Sequence, residues 1–220
     1  MRRRTRHIAL ALLVFAALAA PTGGPADGGA AAVASTVAAA PARAAGVKAD
    51  PGTAARTRAA GEHCPFADAL PGQAAVDDAR DATLCLMNAE RTARGLGKLR
   101  ADDTLARVAG RYARQMVRDQ FFDHTSPGGS TMLSRIKATS YLRDVISWTV
   151  GENLAWGTGP LATPRATVHA WMRSADHRAN LLARNFADVG VGIAQGAPEA
   201  LLDGEVGGTY VTDFGRRRRG

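Results

Sequence analysis

Three short stretches of the chain supply side chains able to do chemistry. Residues 170–182 (AWMRSADHRANLL) place Ser174 three positions before His177, residues 121–126 (FFDHTS) offer His124, and residues 151–157 (GENLAWG) offer Glu152. Two imidazoles and a carboxylate are ligands for a divalent cation, zinc above all, which gives the metal set His124, His177 and Glu152. A hydroxyl, an imidazole and a carboxylate are instead a nucleophile, its base and an orienting group, which makes Glu152, Ser174 and His177 the catalytic candidates. Each chemistry has a deficit. With Glu152 as third ligand no general base remains, and with Glu152 as base only two protein ligands remain, so zinc should bind weakly. Ser174 sits in Arg-Ser-Ala, without the strained turn and glycine-rich oxyanion donors of a nucleophile elbow. Two further readings compete with catalysis: a hydrogen-bonded group that ties loops together, and a binding cleft with an apolar lining of Phe121, Phe122, Trp148 and Trp156.

The motifs arrive in a telling order: Phe122-x-His124, then Gly151-Glu152-Asn153, then Trp171-x-x-Ser174-x-x-His177-Arg178-x-Asn180. Val189-Gly-Val-Gly-Ile193 and Tyr210-Val-Thr-Asp-Phe214 follow. From about Cys64 to Gly215 the chain resembles the bacterial branch of the secreted CAP superfamily (cysteine-rich secretory proteins, antigen 5, pathogenesis-related proteins). The resemblance implies a three-layer α-β-α sandwich with a small antiparallel sheet. It also implies a cleft faced by two histidines and two acidic residues, with a divalent metal in some members. His124, Glu152 and His177 match that pattern. The acid often found three residues after the tryptophan is Ser174 here, which leaves one carboxylate for two histidines. Family members bind lipids, sterols or proteins, so a lipid, cell-wall polymer or protein partner is expected. Fold alone does not fix activity, and enzymatic function is the weaker expectation.

The elements that must carry these residues can be read from periodicity. Val76, Ala79, Thr83, Leu86 and Met87 recur at threes and fours and predict a helix over 76–94, ended by Gly95 and Gly97. Leu105, Val108, Ala109, Tyr112, Ala113, Met116 and Val117 predict a second helix, capped by Asp102 or Asp103. Arg107, Arg111, Arg114 and Arg118 fall on its other side, as a solvated face or a basic stripe for anionic polymer or lipid headgroups. Phe121 and Phe122 should bury and aim His124. A short helical piece is expected over 132–138, and Gly151 should make a turn or close approach that sets Glu152 between the two imidazoles and favours their protonated forms. Thr163-Pro164 reads as N-cap and first residue of a helix running through Ser174 to His177. Strands over 189–193 and 210–214, joined by the loop 196–208, complete an α+β fold.

The remaining sequence bounds the class. Arg2, Arg3, Arg4 and Arg6 followed by an apolar run read as a signal peptide over 1–20, which meets the membrane only during export. The Ala/Gly/Pro-rich residues 21–61 read as a disordered linker, 62–215 as the domain and 216–220 as a basic tail. The net charge of +8 comes from 28 Lys+Arg against 20 Asp+Glu, and the eight arginines at the two ends account for all of it. No nucleic-acid partner is therefore expected for the domain. Cys64 and Cys85 are the two cysteines of the chain; in an exported protein they predict a disulfide, with thiol metal ligation as the lesser reading. Location outside the cell or at its wall, and a monomer, complete the expectation.

Overall fold

The computed structural model describes residues 63–201 and 204–220, together with Gly52 and Thr53. The expected signal peptide and all but two residues of the expected linker lie outside the described residues. Helix α1 (Val76–Thr92) turns Leu86, Met87 and Ala89 inward. Cys85 on that helix is joined to Cys64, with 5.8 Å between their Cα atoms, so the pairing expected from composition is present. Closing this loop of about 20 residues contributes roughly 3 kcal/mol in the chain-entropy account. Buried Arg91 donates to the carbonyls of Gly97, Leu181 and Ala183, which ties the end of α1 to the segment that carries His177.

Strand β1 (Arg100–Ala101) leads into α2 (Asp103–Asp119), whose cap is Asp102: its carboxylate accepts from the backbone of Thr104 and Leu105. After α3 (Met132–Lys137), strand β2 (Val145–Thr158), a 3-10 turn (Gly159–Ala162), α4 (Pro164–Arg173) and α5 (Ala175–Leu182), the chain closes with β3 (Asp188–Gln195) and β4 (Gly207–Arg219). The sheet order is β1-β3-β4-β2, parallel between β1 and β3 and antiparallel elsewhere.

Alternation along the strands sends side chains to two covered faces. Val189, Val191, Ile193, Tyr210 and Phe214 pack with Met87, Val168, Trp171 and Leu181 of α1, α4 and α5. On the other face Leu154, Ala194 and Val211 pack with Ala109, Tyr112 and Met116 of α2. The layers are those of the expected α-β-α sandwich, with a mixed rather than wholly antiparallel sheet. Gly190 and Gly192 are required on the α2 face, because a Cβ on either would overlap the helix backbone at Leu105–Ala106 and Ala109–Gly110.

Three local expectations change. Residues 145–158 form one long strand, so Gly151 makes no turn; it pairs with Phe214, and its missing Cβ leaves room for the Phe186 ring. The expected single helix through Ser174 is two, since Ser174 takes extended backbone angles (φ −88°, ψ 128°) between α4 and α5. Arg216–Arg219, expected as a tail, continue β4 and pair with β2, and Arg217 bonds Asp102 and the Tyr141 carbonyl.

Candidate functional site

Edge strand β2 brings the chemistry together. Along its free edge the two helix layers are no longer separated by the sheet, so residues from both can meet around Glu152 and Asn153. His124 arrives from the α2 side: the Tyr112 hydroxyl donates to the Asp123 carbonyl at 2.5 Å, and the Asp123 carboxylate accepts from Thr125 N–H. His177 arrives from the opposite side. Its carbonyl accepts from Asn153 Nδ2, while Asn180 Nδ2 donates to the Glu152 carbonyl and to Asn153 Oδ1. Asn153 thereby clips α5 to β2.

Glu152 is buried and both its oxygens are engaged. Oε1 lies 2.7 Å from His124 Nδ1, and Oε2 accepts from Arg135 Nη2 at 2.7 Å. The same guanidinium donates to the carbonyls of His124 and Ser130 and lies 3.3 Å over the Tyr112 ring. Sequence reasoning misses Arg135. It lies on a six-residue helix with no motif of its own, and only the packing of Tyr112 beneath it reveals its place.

A second carboxyl is present after all, from an unexpected position. Asp213 pairs directly with Glu152 across β2 and β4 and is fully buried. Neither of its oxygens has a hydrogen-bond partner among the described residues. Burial, and then the Glu152 charge, push the Asp213 carboxyl well above the usual range, which favours its protonated form. The site thus has two carboxyl groups for two histidines, not one. Alternation gives Asp213 an outward face; as a residue of a central strand covered on both sides, it has none.

His177 departs from expectation in charge. Its Nδ1 lies 2.8 Å from Ser174 Oγ, whereas the ring that Glu152 engages is that of His124. Burial, and then the charge of His124, lower its pKa to about 4, so it is neutral where the sequence suggests a protonated ring. Of the aromatic residues expected to line the cleft, Phe121 and Phe122 pack against the α2 cluster. Trp148 and Trp156 lie four residues to either side of Glu152, about 13 Å along the strand, and take no part.

Fold and motifs now meet the comparisons. Residues 84–202 match the CAP family, described as the cysteine-rich secretory protein family, and the chain belongs to it. It is 34% identical over 148 residues to the uncharacterized protein YkwD of Bacillus subtilis (strain 168), covering 67% of this chain and 54% of YkwD. It is 31% identical over 112 residues to the uncharacterized membrane protein YlbC of the same organism, covering 50% of this chain and 30% of YlbC. The chain thus spans about half or less of the curated relatives it matches. Among solved structures it is similar to an outer surface protein from Borrelia burgdorferi, at 26% identity and TM-score 0.48, covering 60% of this chain and 87% of that one. It is also similar to an extracellular protein containing a SCP domain from Bacillus anthracis, at 24% identity and TM-score 0.49, covering 66% and 44%.

Proposed function

We propose that this CAP domain works outside the cell as an interaction module, and that the cleft of His124, Glu152, Ser174 and His177 recognises a ligand rather than hydrolysing one. The observation that carries the reading is the state of Glu152: it is buried and both oxygens are held, by His124 and Arg135, which suits a positioning role better than that of a base for water. The family and the Cys64–Cys85 disulfide support the extracellular setting. Lipid, cell-wall polymer and protein remain the partner classes to test.

The serine-hydrolase reading has one observation in its favour, the 2.8 Å Ser174–His177 contact. Two others oppose it. The acid engages the other histidine, and a base with a pKa of about 4 takes a proton poorly at neutral pH. Ser174 also has ordinary extended backbone angles rather than those of a strained elbow.

For zinc, Glu152 fits the role of orienting His124 better than that of ligand, because the Arg135 guanidinium already neutralises it. His124 and His177 are the side chains that would hold the cation. A neutral His177 suits that role. Two imidazoles fall short of the three protein ligands of a catalytic zinc site, so binding is weak.

The test uses the full chain, with calorimetry for zinc and sedimentation with cell-wall fragments and lipid vesicles. Ser174→Ala and Glu152→Gln should leave capture by the preferred fraction within a few-fold. A loss of turnover by orders of magnitude on any envelope substrate in either variant would instead establish a hydrolase. If His124→Ala/His177→Ala leaves zinc affinity unchanged, the metal reading goes.

A further inference from the structure

A second feature lies on the opposite edge of the sheet, away from the cleft. Strand β1 covers β3 only at Asp188 and Val189, and among the described residues no strand continues it past Ala101. The outward edge can be assigned by parity. Val189 gives its carbonyl to Asp102 N–H on that side, while Gly196 N–H bonds Gly207 across β4. Val191 and Ile193 share the parity of Val189, so their backbone N–H and C=O groups face the side that has no strand. That edge is the floor of a groove of about 310 Å³ between α1 and α2, walled by Val76, Arg80, Arg107, Arg111 and Arg114.

The walls differ in chemistry. Helix α2 runs along β3 in the same direction: Gly190 abuts Leu105 and Ala106, Gly192 abuts Ala109 and Gly110, and Gly196 abuts Val117. Arg107, Arg111 and Arg114 are therefore strung along the open edge over about 10 Å of helix. Arg118, beyond the groove, is paired with Asp119. Arg107 bonds only the neutral Thr104 hydroxyl, and neither Arg111 nor Arg114 pairs with a carboxylate among the described residues. On the α1 wall, Val76 is half exposed and Arg80 is paired with Asp77. The α2 wall is cationic, and the α1 wall offers Val76 beside the ion-paired Arg80.

We propose that this groove docks an extended acidic peptide of another protein, which adds as a strand to the open edge of β3. Side chains of an added strand alternate between the two walls. Acidic residues at alternate positions meet the arginines of α2, and the residues between them meet Val76. Three such acids span about 13 Å, close to the reach of the three arginines. A polyphosphate would satisfy the arginines but not the outward carbonyls of Val191 and Ile193, which need N–H donors. The chain's own residues 22–61 are a poor occupant, with Asp27 and Asp50 set against Arg43, Lys48, Arg56 and Arg58.

The experiment titrates full-length chain into a fluorescein-labelled heptapeptide of alternating glutamate and valine and follows anisotropy. Arg111→Glu/Arg114→Glu should weaken binding at least tenfold, with thermal melts unchanged because both side chains are exposed. Arg118→Glu should change it less than twofold. A peptide of the same charge, N-methylated at alternate amides in either phase, should lose at least tenfold in one phase. Equal binding of all three peptides, or indifference to the Arg111/Arg114 pair, overturns the proposal. Displacement by polyphosphate at concentrations below those of unlabelled peptide overturns it in favour of an anionic polymer.

Discussion

The two edges of one sheet handle charge in opposite ways. At the β2 edge, Glu152, His124 and Arg135 form a closed set, each held within about 3 Å of its partner, with the Glu152 carboxylate buried between the other two. Along β3, Arg111 and Arg114 are exposed and meet no acid among the described residues. The contrast separates charges that hold the fold together from charges that remain for something else. Buried pairs are costly to break because the survivor is stranded, whereas an exposed charge is replaced by water at almost no cost.

The comparison breaks most visibly by removing one charge at each edge. Glu152→Ala strands Arg135, whose side chain is 10% exposed, and should cost about 3–5 kcal/mol. Arg111→Ala should change stability by less than about 0.5 kcal/mol. Urea unfolding of the two variants measures both, and similar losses would erase the distinction.

A slightly smaller effect comes from His177. Its folded pKa of about 4 lies below the unfolded value near 6.5, so the unfolded chain takes the proton first as pH falls. Stability should decline from about pH 6.5 to about pH 4 and then level off as far as this group is concerned. The total is at most about 3 kcal/mol. His177→Gln should flatten that limb in denaturation midpoints read at several pH values. An unaltered slope would mean that the ring is not buried uncharged.

A smaller effect than that of His177 is expected at Asp213. Its folded carboxyl keeps a proton that the unfolded chain gives up above about pH 4, so it opposes folding increasingly as pH rises. Asp213→Asn imitates the protonated acid and should leave neutral-pH stability equal or higher, within about 1 kcal/mol. A loss beyond about 2 kcal/mol would show that the carboxylate is the working form.

What can be read from sequence follows from how many faces each element buries. Helix α2 buries one face, and its apolar spacing and Asp102 cap predict it almost to the residue. Strand β3 is legible as an alternation because glycines stand where α2 presses against it. Strand β2 buries side chains on both faces through its second half, so no alternation marks it. The site shows the same division. His124, Glu152 and His177 stand in recognisable motifs, and the structure bonds the His124 ring to Glu152 and the His177 carbonyl to Asn153. Arg135 and Asp213 are illegible because their roles come from partners distant in sequence, Tyr112 and Glu152. Ser174 is visible as the variant position, but its backbone break is hidden in an otherwise helical run.

The strand order has a further consequence. Strand β4 is inner, bonded to β3 on one side and β2 on the other, yet it follows both in the chain. Until residues 207–219 have been synthesised, β2 has no neighbour and β3 has only the two residues of β1. The sheet therefore cannot assemble while its first three strands are leaving the ribosome, and the pairings that complete it span long sequence separations, which slows them further.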